Sequence, residues 1–84
     1  MSVWYAVAER GLRERFEVAG VELSDGLDAA AEKCARAEYD RNGWFPWGAT
    51  MTFRIYASPK GREKGRYTIK IDAEIVPKIT ATKI

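Results

Sequence analysis

The chain has 84 residues, of which 46% are hydrophobic and 31% charged, and its formal net charge is +2. This length fits one domain, and the composition is typical of a folded globular protein rather than a disordered one. Apolar runs do not approach the roughly 18 residues of a membrane span. The start of the chain lacks the basic region and apolar stretch of a signal peptide, and one cysteine forms no intrachain disulfide, so we expect a protein of the cytosol.

Two strands are predicted near the start of the chain. Residues 3–9 are rich in β-forming side chains, and residues 14–19 alternate, with Phe16 and Val18 facing one way. A turn around Gly11 separates the two segments. We therefore expect a β-hairpin whose second strand is half-buried.

The hydrophobic period then changes to that of a helix. Small apolar residues recur at three- and four-residue steps over residues 27–35. Ser24 is the predicted N-cap, and Asn42-Gly43 ends the helix. The alanine-rich side is expected to lie close to a sheet, with Cys34 as a small core residue.

Period-two alternation returns after residue 50. Met51, Phe53 and Ile55 face inward in one predicted strand, and residues 66–75 form the longest strand. Residues 59–65 between them are predicted to be a charged loop. Residues 77–84 form either an edge strand or a frayed tail after Pro77.

These elements predict an α+β fold for a single domain, residues 1–84. A single helix packs on one face of a four-stranded or five-stranded antiparallel sheet in the order β-β-α-β-β. The opposite face of the sheet is left open, and we expect function there. The predicted core contains Phe16, Val18, Leu27, Ala31, Cys34, Phe53, Ile55, Ile69 and Ile71.

An aromatic cluster and a set of basic side chains are the most specific features of the chain. The segment 43–48 places two of the three tryptophans in a predicted loop. Its rings either cap a thin core or form a binding hot spot, where a buried tryptophan contributes about 2 kcal/mol or more. The basic side chains are either solvated or contact phosphates or an acidic protein. The candidate partner-binding residues are Trp44, Phe45, Trp47, Arg54, Tyr56, Lys60, Arg62, Lys64 and Arg66.

The charge is distributed unevenly along the chain. Residues 1–53 carry six Lys/Arg and nine Asp/Glu, whereas residues 54–84 carry eight and three. This asymmetry indicates either an ordinary solvated surface or an acidic face and a basic face that orient the protein toward a charged partner.

Catalysis is not expected, and neither a cofactor nor a metal is implied. Histidine, the commonest general acid–base residue at neutral pH, is absent from the sequence. Cys34 is predicted to be buried without a base beside it, and the carboxylates lack the spacing of a metal site. The sequence therefore favours a binding protein over an enzyme.

The order of these motifs resembles small accessory proteins encoded by phages and prophages. The matching segments are Arg15–Val18, Ala29–Ala35, Gly43-Trp44 with Trp47, Thr52–Ile55 and Val76-Pro77. Several inhibitors of bacterial type I CRISPR systems share this size and element order, and the first half of the chain looks particularly like some of them. The resemblance implies a phage protein of the host bacterial cytosol that inhibits a host complex, with a CRISPR-type effector as the leading candidate.

Three kinds of function remain open at this point. The first is an inhibitor or adaptor that binds a host protein or ribonucleoprotein complex. The second is a small nucleic-acid-binding module, because cations interleaved with aromatics on an open sheet bind single strands. The third is an assembly protein that pairs through its edge strands, so either a monomer or a homodimer is expected. No membrane partner is expected. The open-sheet residues for the second function are Arg15, Arg54, Tyr56, Arg66 and Lys70.

Overall fold

The computed structural model describes residues 2–8, 14–42, 50–72 and 78–84. One helix packs on one face of a five-stranded sheet, which confirms the α+β prediction, and residues 78–83 form the fifth strand. In chain order the elements are β1 (Ser2–Val7), β2 (Phe16–Ala19), a 3₁₀ helix (Leu23–Asp25), α1 (Leu27–Asn42), β3 (Thr50–Tyr56), β4 (Glu63–Asp72) and β5 (Lys78–Lys83).

The five strands are joined by antiparallel pairs in the order β2-β1-β3-β4-β5. The predicted hairpin of β1 and β2 is confirmed. Strand β3 is central: it pairs with β1 on one side and with β4 on the other. Because α1 lies between β2 and β3 in the sequence, the helix crosses one face of the sheet as the chain passes from the first hairpin to the centre.

The core lies between α1 and the three central strands. The helix contributes small residues with no exposed surface, and the sheet contributes larger aliphatic and aromatic ones. Phe16, Val18 and Leu27, predicted as core, are only half-buried and pack around the edge of this cluster. The buried core consists of Val3, Tyr5, Val7, Val21, Ala30, Ala31, Cys34, Ala35, Phe53, Ile55, Tyr67, Ile69 and Ile71.

Two tyrosines of the sheet hydrogen bond to carboxylates near the two ends of α1. Tyr67 donates its hydroxyl hydrogen bond to Asp28 in the first turn. Tyr5 donates to Oε1 of the buried Glu38 at 2.7 Å, and Arg41 forms an ion pair with the same oxygen at 2.8 Å. These bonds fix the helix along its length, because each joins a buried ring to a defined turn.

The start of α1 differs from the prediction. Ser24 is not the N-cap: it lies in the 3₁₀ helix, where its hydroxyl donates to Glu22 at 3.2 Å. The chain enters α1 through Gly26, whose carbonyl accepts the bond from the Ala30 amide at 3.1 Å. Gly26 has a φ of 114°, a conformation that glycine adopts without the steric cost of a side chain.

Strand β4 begins at Glu63, so the prediction of a loop through residue 65 was wrong. A register shift between Ile55 and Tyr56 lets the β3–β4 ladder continue to Glu63. Strand β1 ends at Val7, before the predicted end at residue 9. The predicted turn at Gly11 and the predicted strand end at residues 73–75 lie outside the described residues.

Replacement of Phe53 with Ala tests the core. Phe53 has no exposed surface, lies on the central strand and stacks on Tyr5 with ring centroids 5.4 Å apart. The substitution should lower the free energy of unfolding by about 3–5 kcal/mol, a large part of the stability of a small domain. Chemical denaturation measures the change. Lys70→Ala, on the opposite face of the same sheet, should stay within about 0.5 kcal/mol, and equal losses in the two variants would contradict this core.

The hydrogen bond between Tyr67 and Asp28 predicts a loss of stability at high pH. Burial, together with this bond, raises the pKa of Tyr67 from 10.0 to about 12. The unfolded chain therefore releases the phenolic proton first, and the stabilisation present below pH 10 is lost as the pH rises toward 12. Thermal melts from pH 9 to 12 should show a steeper fall for the wild type than for Tyr67→Phe. Parallel curves would contradict the assignment.

Candidate binding surface

The face of the sheet opposite α1, here called the open face, carries the candidate site. Strand register sets its composition: Trp4 lies opposite Tyr56, Ala6 opposite Arg54, and Arg54 opposite Arg66. The surface formed by the described residues has no pocket. Across the same residues, no group of three or more His, Cys, Asp or Glu side chains could hold a metal ion.

Two arginines lie directly opposite each other at the centre of the open face. Arg54 and Arg66, here called the arginine pair, are register partners on β3 and β4, and their side chains are 23% and 44% exposed. Like charges at directly opposite positions destabilise a sheet. Glu63 contacts both: its Oε1 lies 3.5 Å from Arg54 Nε, and its Oε2 lies 3.4 Å from Arg66 Nε.

Positive charge extends along β4 from the arginine pair. Lys70 is exposed on the same face and forms an ion pair with Asp72 at 3.7 Å. Residues 50–72 as a whole carry six basic and two acidic side chains, whereas residues 20–42, which include α1, carry six acidic and three basic. The exposed charges of α1 itself are balanced, with three carboxylates against three cations (Asp28, Glu32 and Asp40; Lys33, Arg36 and Arg41). The excess of positive charge therefore lies on residues 50–72.

Tyr56 lies on the open face but is only 4% exposed, so little of its ring is accessible to a partner. Its predicted role in partner binding stays a prediction. The Arg15 guanidinium lies 3.7 Å from the centroid of its ring. Arg15 Nη1 also donates to the carbonyl oxygens of Ser58 at 3.2 Å and of Gly61 at 2.9 Å. Arg15 thus covers the ring and fastens the loop between β3 and β4 to the sheet.

The basic residues of the predicted hairpin tip are divided between two elements. Lys60 and Arg62 are exposed in the loop at residues 57–62, whereas Lys64 is exposed within β4 at the register shift. The loop is held at Ser58 and Gly61 by Arg15, so the tip is anchored at its base rather than free.

The aromatic residues Trp44, Phe45 and Trp47 lie outside the described residues, and the hot-spot hypothesis for them stays a prediction. A different tryptophan, Trp4, is half-buried on the open face, opposite both Tyr56 and Glu17. Its alternation with the inward-facing Val3 and Tyr5 was the sequence signal that would have identified it.

Cys34 is fully buried among the alanines of α1. Burial raises the pKa of its thiol to about 12, because the thiolate would be deprived of water. The thiol is therefore protonated at neutral pH, and the single cysteine of the chain is poorly suited to act as a nucleophile.

Comparison of the chain with models of known protein families, with curated proteins and with solved structures found no match. Within the described ranges, the helix found is too short and too polar to span a membrane.

Replacement of Arg15 with Lys tests whether this side chain holds the β3–β4 loop. Lysine keeps the positive charge but loses the planar group that stacks on Tyr56 and donates to two carbonyls. Amide hydrogen exchange in residues 57–62 should become about tenfold faster, because hydrogen bonds worth about 1 kcal/mol each are lost. Arg62→Lys is the control and should leave exchange unchanged. Unaltered exchange in Arg15→Lys would show that the loop is ordered by other contacts.

Proposed function

We propose that this protein is a non-enzymatic binding protein that docks through its open face onto an acidic surface of a host protein complex. The main observation in support is the concentration of arginine and lysine around Arg54 and Arg66, on a sheet face that α1 does not cover. The resemblance to phage accessory proteins supports a bacterial complex as the partner. It also supports inhibition, with a CRISPR-type effector as the leading candidate.

An interface of ordinary size would occupy a modest part of the surface of this domain. An interface of standard size takes about 800 Å² from each partner. That area is less than one-fifth of the 5133 Å² that the chain exposes. A positive surface also accelerates encounter with an acidic partner, and this effect weakens as salt rises.

The mixture of charges on the open face favours a protein over a nucleic acid. Glu63 and Asp72 lie among the cations, and each carboxylate would repel a phosphate backbone. The stacking of bases on Tyr56 is prevented by Arg15, which covers the ring. A protein surface carries both signs of charge and matches such a pattern more readily.

Nucleic-acid binding is retained as the second candidate function, because residues 50–72 carry a net charge of +4. Pairing through sheet edges is less favoured. Edge strand β2 has four residues, and edge strand β5 has an exposed lysine at each end. Short edges and terminal lysines are features that discourage edge-to-edge association.

Charge reversal on the open face tests the proposal. The wild type, Arg66→Glu/Lys70→Glu, and the control Lys33→Glu/Arg36→Glu are each immobilised and exposed to nuclease-treated bacterial lysate. The control changes the charge by the same amount on the exposed side of α1. A host complex identified by mass spectrometry should be retained by the wild type and the control but not by the open-face variant, with at least tenfold weaker binding of the purified complex.

Two outcomes would contradict the proposal. Equal retention by all three proteins would place the interface elsewhere on the domain. Retention of a complex from untreated lysate but not from nuclease-treated lysate, together with salt-dependent binding of a generic oligonucleotide, would favour the nucleic-acid candidate instead.

A further inference from the structure

We infer that the arginine pair is a carboxylate-binding site, and that Glu63 occupies it in the free protein in place of an aspartate or glutamate side chain of the partner. This inference rests on the proposed function and names the group that the open face would recognise. A planar guanidinium matches a carboxylate with two parallel donors, and two guanidinium groups side by side present such donors from both strands.

The contacts of Glu63 show that a carboxylate fits between the two arginines without filling their hydrogen-bonding capacity. Arg66 Nη2 donates to Glu63 Oε1 at 3.4 Å, and the remaining two contacts measure 3.4 and 3.5 Å. Well-formed bonds of this type measure about 2.7–2.9 Å. Arg54 Nε is buried and makes no hydrogen bond within the described part of the chain. A partner carboxylate that took the place of Glu63 and made bonds of ordinary length would therefore bind the arginine pair more strongly than Glu63 does.

The register shift in the β3–β4 ladder is what places Glu63 on the open face. Arg54 lies opposite Arg66 and Ile55 opposite Gly65, but Tyr56 lies opposite Glu63 rather than Lys64. An unshifted ladder would put Lys64 opposite Tyr56 and turn Glu63 toward α1, since side chains alternate between faces. Bulges commonly redirect a side chain near a functional site, and this one delivers a carboxylate to two cations.

A permanent neutralising role for Glu63 is the competing explanation, since a pair of opposed arginines needs compensation. The two explanations predict different effects of removing the Glu63 charge. If Glu63 occupies the binding site, it competes with an external carboxylate. Removal of its charge should then strengthen binding of that carboxylate, and by more than removal of a different open-face carboxylate does. Asp72 provides that comparison, because it contacts Lys70 and lies away from the arginine pair.

The test measures binding of a fluorescent ten-residue polyglutamate peptide by anisotropy at low salt. Glu63→Gln should bind the peptide about fivefold more tightly than the wild type, a change of the size expected for one ion pair. Asp72→Asn, with the same change in charge, should stay within about twofold of the wild type. Arg66→Lys should bind the peptide about fivefold more weakly, because lysine keeps the charge but loses the planar set of donors of the guanidinium. Arg62→Lys should bind the peptide as tightly as the wild type.

Equal effects of Glu63→Gln and Asp72→Asn would overturn the inference, since only the general charge of the face would then matter. A larger response to Glu63→Gln with a ten-residue oligothymidylate than with polyglutamate would also overturn it, in favour of a phosphate site. Should Glu63→Gln fail to fold in a thermal melt, the comparison of Arg66→Lys with Arg62→Lys decides the question. If host-complex capture depends on the open face but these variants show no difference, the inference fails while the proposed function stands.

Discussion

The close packing of an alanine-faced helix on one face of the sheet, from β1 to the edge strand β5, is the constraint on which the rest of the structure depends. Ala30, Ala31 and Ala35 have no exposed surface and allow the backbone of α1 to lie near the sheet. Sixteen helical residues extend about 24 Å, and this single helix packs on one face of the sheet. Two hydrogen bonds also orient the helix on the sheet. Tyr67 of β4 holds its first turn through Asp28, and Tyr5 of β1 holds its last turns through Glu38.

The open face is a consequence of this one-sided packing, and its chemistry reflects its exposure to water. Most side chains of β3 and β4 on this face are polar or charged, and the cations Arg54, Arg66 and Lys70 alternate with threonines and two carboxylates. Opposed arginines are unfavourable for the sheet itself, so the fold must compensate them locally. Glu63 lies between the two arginines and offsets their charge. Arg15 stacks on Tyr56 and hydrogen bonds to the β3–β4 loop.

Alternation and helical periodicity were sufficient to predict the fold and six of the thirteen buried core residues that the structure describes. The buried positions of Phe53, Ile55 and Cys34 could be predicted from local pattern alone, because each pattern extends over neighbouring residues. The start of α1 was missed because Ser24 is a good capping residue, whereas the chain enters the helix two residues later, through Gly26 with a φ of 114°. A local 3₁₀ turn at Leu23–Asp25 takes up Ser24, and a capping preference alone does not distinguish this turn from the first turn of the helix.

The candidate site was only partly predictable, for a related reason. The sequence identified Arg54 and Arg66 as exposed cations, but their direct opposition depends on the pairing of two strands. The covering of Tyr56 depends on Arg15, whose bonded partner Ser58 lies 43 residues away along the chain. No local pattern contains such information, because contacts between distant segments are set by register and by the path of the loops.

The two faces of the sheet are linked through Gly65, next to the register shift. A Cβ atom at this position would lie 2.5 Å from the Leu27 Cδ2 atom, so the packing of α1 at its first turn favours a residue without a side chain. Gly65 faces the helix opposite Ile55, and the shift immediately before it turns Glu63 to the open face. The same three-residue segment of β4, Glu63–Gly65, therefore does two things. It lets Leu27 of the helix pack closely on the sheet at Gly65, and it places the Glu63 carboxylate between the two arginines.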